Sequence, residues 1–424
     1  MKTQAQEQVL LPALRSRNYR LFFIGQGISL IGTWMTQTAT IWLVYSLTQS
    51  PLMLGLVGFS SQIPSFLLAP FGGVFVDRFS RYRTLIGTQV LAMIQSLILA
   101  ILALTGVIHI WHIIVLSLFQ GIISAFDSPA RQAFVVDLVE HKEDLANAIA
   151  INSTMFNGAR LIGPAIGGLL VAGVGVAYCF LIDGISYIAV IMALLAMRIK
   201  PQKTVASMSN PLQQIKEGFL YAFGFPPIRA ILLLSAIVSF FGFQYTVLVP
   251  VFAEKILQGN AETLGFLMAA SGVGALSGGI YLASRKTILG LGKLIVVGPA
   301  ILGMGLIAFS LSRLLPLSLF TMLFVGLGTI FQIAAGNTVL QTIVEDEKRG
   351  RVMSLLTMAF LGTIPFGNLL GGALADSIGA TNTLIFDGVV CILGSIYFSR
   401  QLPNLRQLIR PIYVERGILP AKIH

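Results

Sequence analysis

Uncharged stretches of apolar residues, each closed by a short polar turn, run along almost the whole of this chain. A helix needs about 20 mostly apolar residues to cross the hydrocarbon core of a bilayer. At that length the pattern predicts six spans at 19–45, 53–76, 84–104, 111–138, 145–171 and 178–197. Six more are predicted at 228–252, 263–282, 294–311, 317–344, 352–375 and 383–398. Between the two sets the pattern changes: Leu212, Ile215, Phe219 and Phe223 fall on one helical face, with Lys216 and Glu217 opposite. Asn210 can cap this segment and Pro211 suits its first position. It reads as an amphipathic helix lying on the membrane surface, a tether between halves or a regulatory element.

The two sets of spans repeat one another. A shift of 204 places Gly163, Gly167, Gly168, Leu170, Gly175, Asp183 and Gly184 on Gly367, Gly371, Gly372, Leu374, Gly379, Asp387 and Gly388. A shift of 205 places Leu118, Phe119, Gly121, Phe126, Val139 and Glu140 on Leu323, Phe324, Gly326, Phe331, Val344 and Glu345. The expected fold is therefore an all-α membrane protein with twelve transmembrane helices in two pseudo-symmetric six-helix halves. Both halves start on the same side, as parallel transporter repeats do. The halves are 1–197 and 228–402, with a cytoplasmic linker at 198–227 and a cytoplasmic tail at 403–424. The tail is basic and carries Pro403, Pro411 and Pro420, so a loose segment touching anionic lipid is expected.

Composition closes off other classes. Charged residues make up 11% and hydrophobic residues 55% of the chain, and the mean hydropathy of +0.85 excludes a water-soluble domain. A net charge of +11 would suit a nucleic-acid binder, but the placement of the charges decides otherwise. With a cytoplasmic N-terminus, 24 of the 28 Lys and Arg lie in the termini or the even-numbered connections, counting Arg20 and Arg229 at the span edges. That is the positive-inside asymmetry, and it predicts both termini in the cytoplasm and no nucleic-acid partner. Residues 1–17 show no apolar core with a cleavage site, so no removable signal is expected. Cys179 and Cys391 stand alone, which points to neither a disulfide framework nor a metal cluster. With no phosphate loop either, neither a cofactor nor an enzyme activity is expected.

Charges inside the spans carry the candidate chemistry, because each costs about 3 kcal/mol at the bilayer centre. Arg160 falls near the middle of the fifth span, either in a buried ion pair or on a cavity. Asp127 and Arg131 sit at i, i+4 spacing on the fourth span, and Arg160 is expected to compete for the same carboxylate. The trio is either a network that changes partners or a permanent structural triad. In the second half, Gln332 and Gly336 replace Asp127 and Arg131, so the charged machinery belongs to the first half. Asp183 and Asp387 match under the repeat, which suggests a structural cap or gate contact.

The turn at Gly73, Asp77, Arg78, Arg81 and Leu85 resembles the loop signature of the major facilitator superfamily. Phe75, Val76, Ser80 and Tyr82 replace its other usual residues. The segment from Ala159 through Gly163, Pro164, Gly167 and Gly168 resembles the exporter-associated glycine-proline motif of that superfamily, with Ala159 for its first glycine. Residues 125–134 resemble its drug-efflux branch, which includes macrolide and enterobactin exporters. The helix-four coupling motif keeps Gln120 and Gly121 but has Ser117 in place of its arginine.

The resemblance implies a secondary transporter of the inner membrane that exports a small amphipathic solute by alternating access, in exchange for protons. An uptake symporter or a lysophospholipid flippase of the same fold is the alternative. It also implies a central cavity lined by Gln26, Trp34, Gln37, Gln62, Gln244, Tyr245, Gln332 and Asn337, with Gln341 nearby. The loop at Gly73 is expected to lock the halves, Asp77 facing the helix N-terminus near 350–352 and Arg78 and Arg81 meeting Glu345, Asp346 or Glu347, while the glycines let helices rock. The expected partners are a small-molecule solute, protons and membrane lipids, and the expected state is a monomer.

Overall fold

The computed structural model describes residues 12–139, 142–198, 211–285 and 287–420, less the side chains at 69, 70, 74, 77, 142, 146 and 211–216. Six helices build the first half: α1 (Arg17–Thr48), α2 (Pro51–Arg78), α3 (Arg81–Leu104), α4 (Ile110–Leu138), α5 (Leu145–Gly173) and α6 (Val176–Leu195). The linker holds α7 (Pro211–Gly224). The second half comprises α8 (Pro226–Gly242), α9 (Tyr245–Val251), α10 (Ala261–Ala283), α11 (Leu291–Leu311), α12 (Leu315–Ile343), α13 (Asp346–Leu361), α14 (Ile364–Ile378) and α15 (Ala380–Glu415). With a π-helical turn at Phe252–Ile256, α8 and α9 make one crossing; α13 and α14 make another. The result is twelve transmembrane crossings. Eleven are long and apolar enough by themselves. The remaining one, α1, has 32 residues but is diluted by Gln26, Thr33, Thr36, Gln37 and Thr38.

Local chemistry sets the helix starts. Ser16, Ser50 and Ser80 cap α1, α2 and α3, each side chain accepting from the backbone N–H three residues on. Pro51 stands in the first turn of α2, where its missing N–H costs nothing. The connection from α2 to α3 is only Phe79 and Ser80, and Ser80, which departs from the family loop signature, is the cap of α3. The repeat is visible in the helices: α4 and α12 both span 29 residues, and their bounds differ by the same shift of 205.

Two expectations need correction. The tail is not loose, because α15 runs to Glu415 through Pro403 and Pro411. Leu405 is buried, and Leu402, Ile409, Ile412 and Tyr413 pack on the core of the second half, a helical spacing that holds the segment down. Arg416 then donates to the carbonyl of Val344 at 2.8 Å. The seventh and eleventh crossings, expected to be continuous, are interrupted at Phe243–Gln244 and Gly362–Thr363. The linker helix begins at Pro211 as expected, whereas Asn210 and the side chains of Leu212, Ile215 and Lys216 lie outside the described residues.

The halves meet through α5 on α10 and α2 on α14. A Cβ added to Gly168 would stand 2.8 Å from Cα of Gly265, and one added to Gly372 would stand 2.9 Å from Cα of Gly55. Each half thus presses a glycine of its fifth crossing onto a glycine of the other half's second crossing. Nearby, Gly272 meets Leu161, Phe66 packs edge-on to Phe366, and Gln49 donates to Glu254 at 3.0 Å. These contacts lie at mid-membrane or toward the face opposite the one where α1 starts and α15 ends. On that terminal face, none of the hydrogen bonds, ion pairs or ring contacts among the described residues joins the two halves. Ser153, Thr154, Thr338 and Gln341 are exposed there. The space between the halves therefore opens to the terminal face.

Candidate functional site

Asp127 sits mid-way along α4 and is buried. Its Oδ1 accepts from Thr88 Oγ1 at 2.8 Å and from Gln89 Nε2 at 2.7 Å, both on α3. Among the described residues its Oδ2 has one charged partner, Arg131 Nη2, at 3.6 Å, one turn along α4. One oxygen is therefore saturated, while the other has a single, loosely held cation. Asp127, Arg131 and Gln89 line a cavity of about 140 Å³ within the first half. Gln26, Ser29, Thr33, Trp34 and Gln37 of α1, Gln120 and Ser124 of α4, Phe156 of α5 and Tyr187 of α6 complete the polar and aromatic lining. A drug-sized ligand needs at least about 300 Å³, so this recess has room for only part of one.

Arg160 is not where the sequence reading places it. It makes no ion pair with Asp127; its guanidinium carbon lies 5.7 Å from the centre of the Trp34 ring. The cause is helix order: α5 packs on α1 and α10 and only marginally on α4. Trp34 in turn meets Phe156 edge-to-face at 5.7 Å. The expected trio is thus an Asp127–Arg131 pair with Thr88 and Gln89, and a separate Arg160–Trp34–Phe156 group.

Several side chains expected at the cavity are bonded or packed elsewhere. Gln244 is fully buried, donates to the Phe240 carbonyl at 3.2 Å, and packs on Gly371. Tyr245 is 1% exposed and shares a hydrogen bond of 3.1 Å with Ser271. Gln332 donates to Ser235 at 3.3 Å. Asn337 is half-buried and accepts from Gln341 at 3.1 Å on the open side, and Gln62 is half-buried on α2. Gln26, Trp34 and Gln37 do line the cavity. The sequence reading left out Thr88, Gln89, Phe156 and Tyr187. The available signal was the adjacent pair Thr88–Gln89 in the part of the third span nearer the terminal face, one of two polar pairs in that span with Gln95–Ser96.

The loop residues also differ from expectation. Arg81 pairs with Asp137 of its own half at 2.8 Å, and Arg78 is exposed. The acids expected to meet them are held within the second half: Glu345 by Lys348, and Asp346 by Arg349. With the terminal face open, the two sets lie apart. The Asp77 side chain is outside the described residues. A Cβ on Gly73 would meet nothing within 4 Å, so that glycine answers to no close contact here. Gly163 and Gly167, by contrast, pack against Trp34 and Met35 of α1.

Asp183 and Asp387 neither cap a helix nor join the halves. Asp183 accepts from Ser96 at 2.9 Å and abuts Gly32. Asp387 is wholly buried, and neither carboxylate oxygen has a partner among the described residues. No cluster of metal-ligating side chains occurs among the described residues.

With this geometry in hand, comparison with known proteins adds lineage. The profile of the transmembrane secretion effector family matches residues 9–409. A staphyloferrin A transporter of Staphylococcus aureus is 28% identical over 393 residues, covering 91% of this chain and 97% of that protein. Macrolide efflux protein A of Streptococcus pyogenes is 25% identical, covering 88% and 95%. An enterobactin exporter of Shigella boydii is 26% identical, covering 86% of each. Among solved structures, a bacterial homologue of the human lysosomal transporter Spinster superposes with a TM-score of 0.73 at 14% identity, covering 94% and 98%. A peptide transporter superposes at 0.74 with 13% identity, covering 92% and 95%. At these identities the structural matches speak to fold alone.

Proposed function

We propose, for a chain that belongs to the transmembrane secretion effector family within the major facilitator superfamily, export of a small amphipathic solute across the cytoplasmic membrane. The chain is a transporter and not an enzyme. The movement is alternating access, with the terminal face cytoplasmic and the opposite seal opening as the terminal face closes. Relatives named for macrolide efflux and enterobactin export support the outward direction and a drug-like or siderophore cargo. Inward proton flow drives the cycle, and Asp127 carries the proton.

One observation carries this reading: Asp127 lines the cavity with Oδ1 fully hydrogen-bonded and Arg131 as the one charged partner of Oδ2 among the described residues. A proton arriving at Oδ2 cancels the charge that holds Arg131, and re-forming the pair expels it. Binding the proton from one side and losing it to the other ties the pair to the position of the halves.

The test begins with cells lacking the gene, in which macrolides and siderophores are screened for accumulation. The purified chain is then reconstituted with the accumulating compound and a pH-sensitive dye. Wild type should exchange solute for protons. Asp127→Asn should still equilibrate solute down its own gradient yet fail to use a pH gradient. Pumping by Asp127→Asn with a pH gradient as sole energy source removes Asp127 from the mechanism. Solute and protons entering together would replace export by uptake.

A further inference from the structure

The geometry points to a recognition site for an anionic group, a carboxylate on an aromatic or otherwise flat solute, at Arg160, Trp34 and Phe156. The inference rests on the reading above that the space between the halves receives the transported solute, and it specifies the chemistry of that solute.

Three observations converge on this site. First, Arg160 is half-buried in mid-membrane and has neither an acidic partner nor a hydrogen-bond acceptor among the described residues; its guanidinium stands over the Trp34 ring. A guanidinium at that depth is costly unless paired, and a ring centred 5.7 Å away does not supply acceptors for all its N–H groups. Its in-plane N–H fork is left for a bidentate acceptor such as a carboxylate.

Second, Arg160 lies at the depth where the space between the halves closes. The next residue, Leu161, still touches Gly272 of the second half, while Ser153 and Thr154, two turns toward the terminal face, are exposed. A group entering from the open side therefore meets Arg160 at the closed end.

Third, the flanking surfaces are aromatic. Trp34 and Phe156 both line the cavity and stand edge-to-face, a wall against which a flat apolar body can lie beside its charged end. The charge balance agrees. Asp127 and Arg131 offset one another, and the second half contributes the neutral Asn337 and Gln341 on the open side, so Arg160 leaves this region net positive. Proton binding at Asp127 and anion binding at Arg160 then favour one another by Coulomb's law. Exchange of one for the other must come from the conformational cycle, not from charge competition.

Binding measured without transport tests this separately from the export reading. Three probes share one ring: 4-nitrobenzoate, 4-nitrobenzamide and 4-nitrobenzylamine. Each nitro group quenches indole fluorescence, and with Trp42 and Trp111 replaced by Phe, Trp34 is the reporter. In nanodiscs of zwitterionic lipid, nitrobenzoate should bind about tenfold tighter than the amide, the scale of a hydrogen bond to a charged group. The amine should bind more weakly still. Arg160→Gln should erase the preference, and Arg160→Lys should restore part of it, which separates loss of charge from loss of fold. Equal affinities, a preference for the amine, no saturable nitrobenzoate binding, or a preference surviving in Arg160→Gln overturns the assignment. Each of these leaves pH-driven export, measured with a different compound, untouched.

Discussion

Adding one methyl group at Gly168 tests whether the seal opposite the terminal face is a gate. The new Cβ would stand 2.6 Å from the Ala261 carbonyl oxygen and 2.8 Å from Cα of Gly265. Both are backbone atoms that no rotamer change can withdraw, so α5 and α10 must separate. Overpacking of this kind costs about 1–3 kcal/mol. The helix-propensity gain of alanine over glycine, about 1 kcal/mol, applies in every conformation and drops out of the difference. At 1.4 kcal/mol per factor of ten, the balance shifts roughly 5- to 150-fold toward the state with the seal open. A cysteine at Gln37, exposed in the cavity, reports that shift through labelling by an impermeant maleimide in right-side-out vesicles. The native Cys179 and Cys391 are buried and stay silent. Gly168→Ala should label faster than the parent. Gly372→Ala should do the same, its Cβ falling 2.6 Å from the Pro51 carbonyl oxygen. The two contacts share no partner, so the double variant should show the product of the two effects. Gly158→Ala, on the same helix with nothing within 4 Å, should change nothing. Parental labelling rates in both single variants at the seal would refute the gate.

Three further outcomes are expected. Arg81→Gln should lower stability by about 1 kcal/mol at most, since the pair with Asp137 is partly exposed; the exchange Arg81→Asp with Asp137→Arg should recover the melting temperature, and no recovery would mean the pair is incidental. Tyr245→Phe should cost about 1 kcal/mol in thermal unfolding by removing the bond to Ser271, with solute selectivity intact; altered selectivity would put Tyr245 back in the cavity. Asp127→Asn should tighten nitrobenzoate a few-fold, because it removes a negative charge from the same cavity; weaker binding would mean the carboxylate itself positions the anion.

The crossings and the repeat were legible because burial in lipid imposes one rule along each whole helix: apolar outside, with every backbone group bonded internally. Asp127 and Arg131 were legible for the same reason, as i, i+4 charges where charge is costly. Helix neighbours were not. Whether Arg160 reaches α4 depends on α1 lying beside α5, and nothing within the α5 sequence encodes that order. Gln244 and Gln332 look no different in sequence from Gln26, yet they face Gly371 and Ser235, while Gln26 faces the cavity. The glycine motif was readable as close packing, but its division into Gly163 and Gly167 against α1 and Gly168 against the other half needed three dimensions.

The two interrupted crossings give the halves different mechanical characters. In the first half α1 and α5 run unbroken, α5 even through Pro164. Their counterparts are jointed at Phe243–Gln244 and Gly362–Thr363, and the rings of Phe243 and Phe360 meet edge-to-face at 5.1 Å next to both joints. One half is a stiff beam, the other a beam with two coupled elbows at the same depth. A stiff first half would hold the helices that bear Asp127, Arg131 and Arg160 in fixed relation, leaving only the side chains to make and break the pair. A jointed second half can bend its wall around cargoes of unequal bulk. Tolerance of shape and strictness about charge would then reside in opposite halves of one duplicated chain.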